Sequence, residues 1–88
     1  MKTSFVLMAQ YDGLAVIPLD FVCRDYFRHL TVEKLVRKVM DGEIALPITR
    51  MEGSQKAAKG VHIAHLADYL DAQAMAAKRE CEKLRRSA

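Results

Sequence analysis

The chain has 88 residues, of which 51% are hydrophobic and 28% are charged. This composition is typical of a soluble globular protein and excludes a disordered or fibrous chain, and the length predicts a single domain. The formal net charge is +3, which does not by itself identify a nucleic-acid partner. Residues 31–60 carry six basic and four acidic side chains, so the positive excess lies mainly in the middle of the chain.

The two cysteines, Cys23 and Cys81, lie inside helical patterns and form no Cys-x-x-Cys pair. The first residues lack the pattern of a signal peptide, and no apolar run approaches the roughly 18 residues of a membrane span. We therefore expect a cytoplasmic protein with reduced thiols and no membrane partner.

Two apolar segments, residues 3–9 and 14–17, flank the dipeptide Asp12-Gly13. An Asp-Gly pair between two apolar runs is a strong hairpin signal. The pattern predicts an N-terminal β-hairpin over residues 3–17 that covers the core or a partner subunit. An alternative is that residues 1–10 form an arm exchanged between subunits.

Two short amphipathic helices follow this segment. Pro18 suits the first turn of a helix, which is expected to end near Arg28 or His29. Thr31 is a suitable N-cap for the second helix, and Gly42 marks its end. The short connection between the two is typical of a helix-turn-helix. The stripe of the second helix that should be buried consists of Val32, Leu35, Val36, Val39 and Met40.

A second hairpin follows the two helices. Residues 44–51 have strand propensity, although Pro47 restricts them to an edge strand. Gly53 and Gly60 bracket a polar, basic tip, and residues 61–63 form the return strand.

The last helix carries a heptad seam, in which small and apolar residues recur in steps of three and four. After residue 71 the seam is mostly alanine and buries little by itself. We therefore expect a helix–helix contact in a homodimer, through Leu70, Ala74, Ala77, Cys81 and Leu84.

Helix, helix, basic hairpin and helix is the order of elements in a winged helix-turn-helix. The predicted fold class is α+β, a small winged helix-turn-helix with an N-terminal β-hairpin and a long C-terminal helix. The chain is predicted to be one DNA-binding domain over residues 1–88. Within it, residues 3–17 form the hairpin, 18–70 the winged helix-turn-helix and 71–88 the helical extension for dimerisation.

The basic face of the second helix and the hairpin tip are the candidate DNA contacts. The second helix of a helix-turn-helix lies in the major groove, with its early residues toward the bases. The hairpin tip offers cations and a hydroxyl to phosphates and one amide to a base edge. The full set is Thr31, Lys34, Arg37, Lys38, Arg50, Ser54, Gln55, Lys56 and Lys59.

Catalytic and metal-binding patterns are missing from the sequence. The three histidines and two cysteines have no metal-ligand spacing, and there is no glycine-rich phosphate loop or pair of carboxylates in an apolar run. We expect no enzyme activity, no cofactor, no metal site and no small-molecule substrate.

Several segments, in this order along the chain, resemble the pyocin activator protein (PrtN) family: residues 5–11, 16–19, 22–27, 29–31 with Lys34, 42–47, 54–60 and 66–72. The resemblance implies a bacterial, prophage-type transcription activator that binds double-stranded promoter DNA and switches on bacteriocin genes, with RNA polymerase as a candidate second partner. Residues 31–70 are also similar, more loosely, to excisionase and MerR-like winged helices. By position, that similarity implies DNA contacts at the residues of the set above.

Two alternatives remain open at this point. One is an excisionase-like architectural factor that bends DNA for a recombinase. The other is a protein-binding antirepressor, whose helical seam would contact a heterologous partner while the basic surface is incidental.

Overall fold

The computed structural model describes residues 2–54 and 57–87. Its elements are α1 (Thr3–Gln10), β1 (Val16–Pro18), α2 (Leu19–Tyr26), α3 (Val32–Met40), β2 (Thr49–Arg50), β3 (Lys59–His62) and α4 (Ile63–Ser87). The three strands form one antiparallel sheet in the order β1-β3-β2. The predicted α+β class, with a small winged helix-turn-helix arrangement and a long C-terminal helix, is confirmed.

The core lies between the sheet, α2 and the first half of α4. Its fully buried side chains are Leu7, Ile17, Val22, Leu35, Leu46, Val61 and Leu66. Each helix and strand except the two-residue strand β2 contributes one of these side chains. Leu46 comes from the segment that connects α3 to β2. Such shared burial is what holds short elements together in a chain of this size.

The predicted N-terminal β-hairpin over residues 3–17 is wrong. Residues 3–10 form the helix α1, which packs against α4, and β1 pairs with β3 instead of with the N-terminus. The helix is favoured because it places Leu7 and Tyr11, four residues apart, in the core on one face. The dipeptide Asp12-Gly13 does form a turn, with φ of 53° and 78°, but it links a helix to a strand.

The alternative of an N-terminal arm exchanged between subunits is not tested by a single chain and stays a prediction. The helix α1 lies on the α4 of its own chain, and Thr3 Oγ1 donates a hydrogen bond of 2.5 Å to Asp71 Oδ1. This contact joins the first turn of α1 to the point at which α4 leaves the core.

The two central helices form where the sequence predicts them, with small differences at their ends. Pro18 closes β1 and caps α2, which ends at Tyr26 and not at Arg28 or His29. Thr31 caps α3, because its Oγ1 accepts a hydrogen bond of 3.2 Å from the Lys34 backbone N–H.

The C-terminal end of α3 and its buried stripe were predicted only in part. Gly42 has a φ of 77°, the left-handed conformation that often ends a helix. Leu35 is fully buried, but Val32 is 37% and Met40 58% exposed. Because α3 packs mainly on α2, its buried stripe is narrower than the apolar pattern suggests.

The first strand of the wing is shorter than predicted. Only Thr49 and Arg50 of the segment 44–51 pair with β3. Leu46 points into the core, and Pro47 has no N–H to donate, so the preceding segment is a connection and not a strand.

The helix α4 has two different halves. Leu66 and Ala67 in its first two turns are buried, whereas residues 71–86 are all exposed. Among the described residues, no helix has the length and apolar character needed to cross a membrane.

Candidate nucleic-acid interface

Most of the predicted helix contacts lie on the surface of α3. Thr31, Lys34 and Arg37 are exposed. Lys38 is half-buried, and its Nζ lies 4.0 Å from Glu43 Oε1. Because Lys38 forms this long ion pair with Glu43, Lys34 and Arg37 are the cations of α3 that are most accessible to a ligand.

The wing brings two further cations together. Arg50 on β2 lies directly opposite Lys59 on β3 in the antiparallel register. Side chains directly opposite each other in such a pair point to the same face of the sheet, and like charges at that distance repel. The pair therefore forms a local concentration of positive charge at the root of the hairpin tip.

The tip itself is described only in part. Ser54 is exposed, and Ala57 N–H donates to the Ser54 carbonyl at 3.1 Å. The two remaining predicted contacts of the tip, Gln55 and Lys56, lie outside the described residues.

An open groove joins α3 to the wing. It has a volume of about 480 Å³ and is lined by Leu19, Asp20, Val32, Glu33, Val36, Ala57 and Lys59. The groove shows that the first half of α3 and the base of the hairpin are neighbours, as the winged-helix arrangement requires. Of the predicted contacts, it brings Lys59 to the side of α3.

Sequence reasoning missed the acidic and apolar walls of this groove. Val32 was predicted to be buried, and nothing in the residue pattern indicates that Asp20 and Glu33 line one groove. The exposure of Val32 together with half-buried Val36, one turn later, is a tertiary feature that the apolar pattern does not contain. The two carboxylates make the groove itself less cationic than the wing beside it.

A hydrogen-bonded cluster connects α2 to the residue that follows α1. Tyr11 Oη donates to Asp25 Oδ2 at 2.6 Å, and Arg24 Nε lies 2.9 Å from Asp25 Oδ1. The Arg24 hydrogen bond, followed by that of Tyr11, lowers the pKa of Asp25 from 3.8 to about 2. Burial, followed by the Asp25 hydrogen bond, raises the pKa of Tyr11 well above its ordinary value.

In this cluster the positive charge of Arg24 is paired with a carboxylate. Its guanidinium is paired with Asp25 and lies 4.7 Å from the centre of the Phe21 ring. The cluster joins the end of α1 to α2, and α2 in turn carries α3.

Two of the histidines and one cysteine make contacts within the fold. The His62 and His65 rings are 5.5 Å apart, and His62 Nδ1 accepts from the Ala64 N–H. Cys23 is buried and donates to the Leu30 carbonyl at 3.2 Å. Within residues 2–54 and 57–87, no group of three or more potential ligands could hold a metal ion.

The predicted dimer residues lie along one face of α4. Leu70 is half-buried against the core, and the remaining four residues of the seam are exposed: Ala74, Ala77, Cys81 and Leu84. The single chain does not test whether a second copy covers them, so the dimer contact stays a prediction.

Comparison with known proteins gives one positive result. A family model described as pyocin activator protein PrtN matches residues 3–77. The match runs from the first residue of α1 into the exposed half of α4. No curated protein and no solved structure matches the chain.

Proposed function

The chain belongs to the pyocin activator protein PrtN family, and we propose that it binds duplex promoter DNA sequence-selectively and activates pyocin-type genes. Its proposed partners are double-stranded DNA, a second copy of the chain and RNA polymerase, in the cytoplasm. Binding would use α3 and the wing.

The cross-strand pair of Arg50 and Lys59 is the observation that best supports DNA binding. Two cations directly opposite each other repel, which by itself lowers the stability of the sheet. A phosphate group between or beside them would turn this repulsion into two attractive contacts. Residues of a binding site are often less favourable for the stability of the fold than other residues would be, because they are selected to bind the ligand.

The position of α3 supports the same proposal. Lys34 and Arg37 are exposed on a helix that lies beside the wing, and Lys59 lines the groove between the two. Thr31 uses its hydroxyl to cap α3, so any contact it makes with DNA would have to share this group. We propose that Lys34 contacts bases or phosphates, and that Arg37, Lys38 and the cations of the wing contact phosphates.

Binding should be measured first by titrating the protein into a labelled promoter fragment and into a scrambled duplex, at several salt concentrations. If four to six cations contact phosphates, the log–log slope of affinity against salt should be about −4 to −5 per subunit. Equal affinity for the two duplexes would contradict sequence selectivity and favour an architectural factor. A lack of binding to both would favour an antirepressor.

A mutational test separates a DNA contact from a structural role. Arg50→Ala should weaken DNA binding and reduce the salt slope by about one. The same change should leave thermal stability unchanged or slightly higher, because it removes the repulsion from Lys59. Arg79→Ala is the matched control, since Arg79 is an exposed cation on the distal half of α4. Equal loss of DNA binding in both variants would contradict the proposed site.

We further propose that the protein acts as a homodimer through the exposed seam of α4. Equilibrium sedimentation over a wide concentration range should show the mass rising from that of the 9.9 kDa monomer to twice that value. A constant monomer mass would contradict this part of the proposal and leave the DNA contacts untouched.

A further inference from the structure

The face of α4 that packs into the core continues beyond the globular body, which we define as residues 2–54 and 57–70. Leu66 is 0% and Ala67 5% exposed on this face. Successive steps of three and four residues lead along it to Ala74, Ala77 and then Leu84, which is 66% exposed. The same stripe is thus covered by the chain's own body in its first half and uncovered in its second.

This continuity restricts how a second α4 can lie on the uncovered stripe. In a parallel pair, residues 63–70 of both helices would lie side by side, where each body already covers the stripe. The two bodies would then compete for the same space at one end of the pair. In an antiparallel pair the two bodies lie at opposite ends. The C-terminal end of each α4 then meets the partner's body near the partner's Leu70.

The uncovered length also selects a register. The exposed half of α4 spans residues 71–86. The midpoint of this exposed half lies near residue 79. An antiparallel pair about this level places Leu84 opposite the partner's Ala74, and Ala77 opposite the partner's Cys81. The large Leu84 then meets the small Ala74, and the two small residues Ala77 and Cys81 meet each other, which allows the helices to pack closely.

The charges along α4 favour the same orientation. Residues 63–74 contain two aspartates and no lysine or arginine, whereas residues 75–87 contain five lysines or arginines and two glutamates. An antiparallel pair sets Asp71, whose Oδ1 also accepts from Thr3 of its own chain, at the edge of the seam beside the partner's Arg85. A parallel pair would set Glu80 beside the partner's Arg85, but it would also bring the two basic ends together.

Near the two-fold axis the charges act weakly against pairing. Lys78 approaches the partner's Lys78 on one edge of the seam, and Glu80 approaches the partner's Glu80 on the other. Like charges on exposed helix faces have small effects. The orientation is therefore decided mainly by the position of the two bodies.

We infer that α4 pairs with the α4 of a second copy in an antiparallel orientation, with the two-fold axis at the level of Arg79 and the two DNA-binding bodies at opposite ends. This inference rests on the proposed homodimer and adds its orientation and register. The exposed thiol of Cys81 makes both measurable, because it lies on the seam.

The experiment uses two full-length forms of the protein that differ in size by a short tag. One keeps Cys81, and the other carries A77C and C81S. Both keep the buried Cys23. In the antiparallel pair, the thiol at position 81 faces the partner's position 77, so a mixed disulfide forms. Like thiols are offset by four residues, or about 6 Å along the axis in addition to the separation of the helices, which exceeds the reach of a disulfide.

The forms are mixed in a glutathione redox buffer and separated without reduction. We expect mixed cross-linked dimers to exceed like dimers by about tenfold, whereas random pairing would yield equal amounts. An excess of like dimers would show a parallel pair and overturn the inference while leaving the homodimer intact. A sedimenting dimer without either disulfide would place the interface off the seam and overturn the inference too. A monomer by sedimentation would overturn the proposed homodimer itself.

Discussion

Gly60 is the point at which the sheet tolerates the least additional volume. It is buried in the central strand, opposite Pro18 of β1 and Thr49 of β2. A Cβ atom added at Gly60 would lie 2.6 Å from the Ile17 carbonyl oxygen and 2.7 Å from Val16 Cγ1. Ordinary contacts of a Cβ atom begin at 3.4 Å. Because one of the obstructing atoms belongs to the backbone, Gly60→Ala must displace β1 from β3.

The magnitude follows from the usual effect of overpacking. Inserting a methyl group into a closely packed site lowers the free energy of unfolding by about 1–3 kcal/mol. In a protein of this length each kcal/mol lowers the melting temperature by about 4–8 °C. We expect Gly60→Ala to melt about 4–24 °C below the wild type. The upper part of this range is more consistent with a clash against the backbone.

The assay is thermal unfolding followed by circular dichroism at one fixed protein concentration, because self-association would make the melting temperature depend on concentration. Gly53→Ala is the matched control, since Gly53 is exposed, has no left-handed φ and has no atom of the described residues within 4 Å of its added Cβ. The control should change stability by less than about 1 kcal/mol, in the stabilising direction. Equal melting temperatures for the two variants would refute the reasoning about the sheet.

Three further predictions concern the helix ends and the Asp25 cluster. Thr31→Ala should lower the free energy of unfolding by about 1 kcal/mol in urea, because the capping hydroxyl is lost, while Thr31→Ser should retain most of it; equal losses would contradict the cap. Gly42→Ala should cost about 1 kcal/mol, because Gly42 has a φ of 77°, and an unchanged urea midpoint would speak against this strain. The pKa of Asp25 is about 2 in the folded state, so its stabilising effect is complete above pH 3.8 and is lost as the pH falls toward 2. Tyr11→Phe should raise this pKa, which an NMR titration of the carboxyl group would measure, and an unaltered value would show that the Tyr11 hydrogen bond has no effect.

The helices α2 and α3 could be predicted because their signals are local. Thr31 caps α3 through a contact with Lys34, three residues later, and Gly42 ends the helix through its own backbone conformation. Such features act through the nearest neighbours along the chain, so no knowledge of the rest of the fold is needed.

The N-terminal segment could not be predicted for the opposite reason. Residues 5–9 are all apolar, so neither a period of two nor one of 3.6 stands out. Asp12-Gly13 is compatible with a turn between two strands or between a helix and a strand. The choice depends on α4, more than 50 residues away, against which α1 buries Leu7.

In the candidate site, too, some features could be predicted from the sequence and others depend on the tertiary structure. The basic residues of the wing were identified from their type and position, but the opposition of Arg50 and Lys59 depends on the register of β2 against β3. The groove beside α3, with Asp20 and Glu33 on its walls, exists only because the base of the hairpin lies next to that helix. Register and adjacency are set by long-range pairing, which composition and spacing do not contain.

The sequence by itself determined the order of the central elements, the caps of α3 and the seam of α4, because each depends on neighbouring residues and on helical periodicity. Only the tertiary structure decided that residues 3–10 are a helix, that β3 is the central strand and that the seam of α4 is covered up to Leu70 and uncovered beyond it. These features depend on which apolar surfaces meet. That choice is made by burial across the whole chain and not by any segment alone.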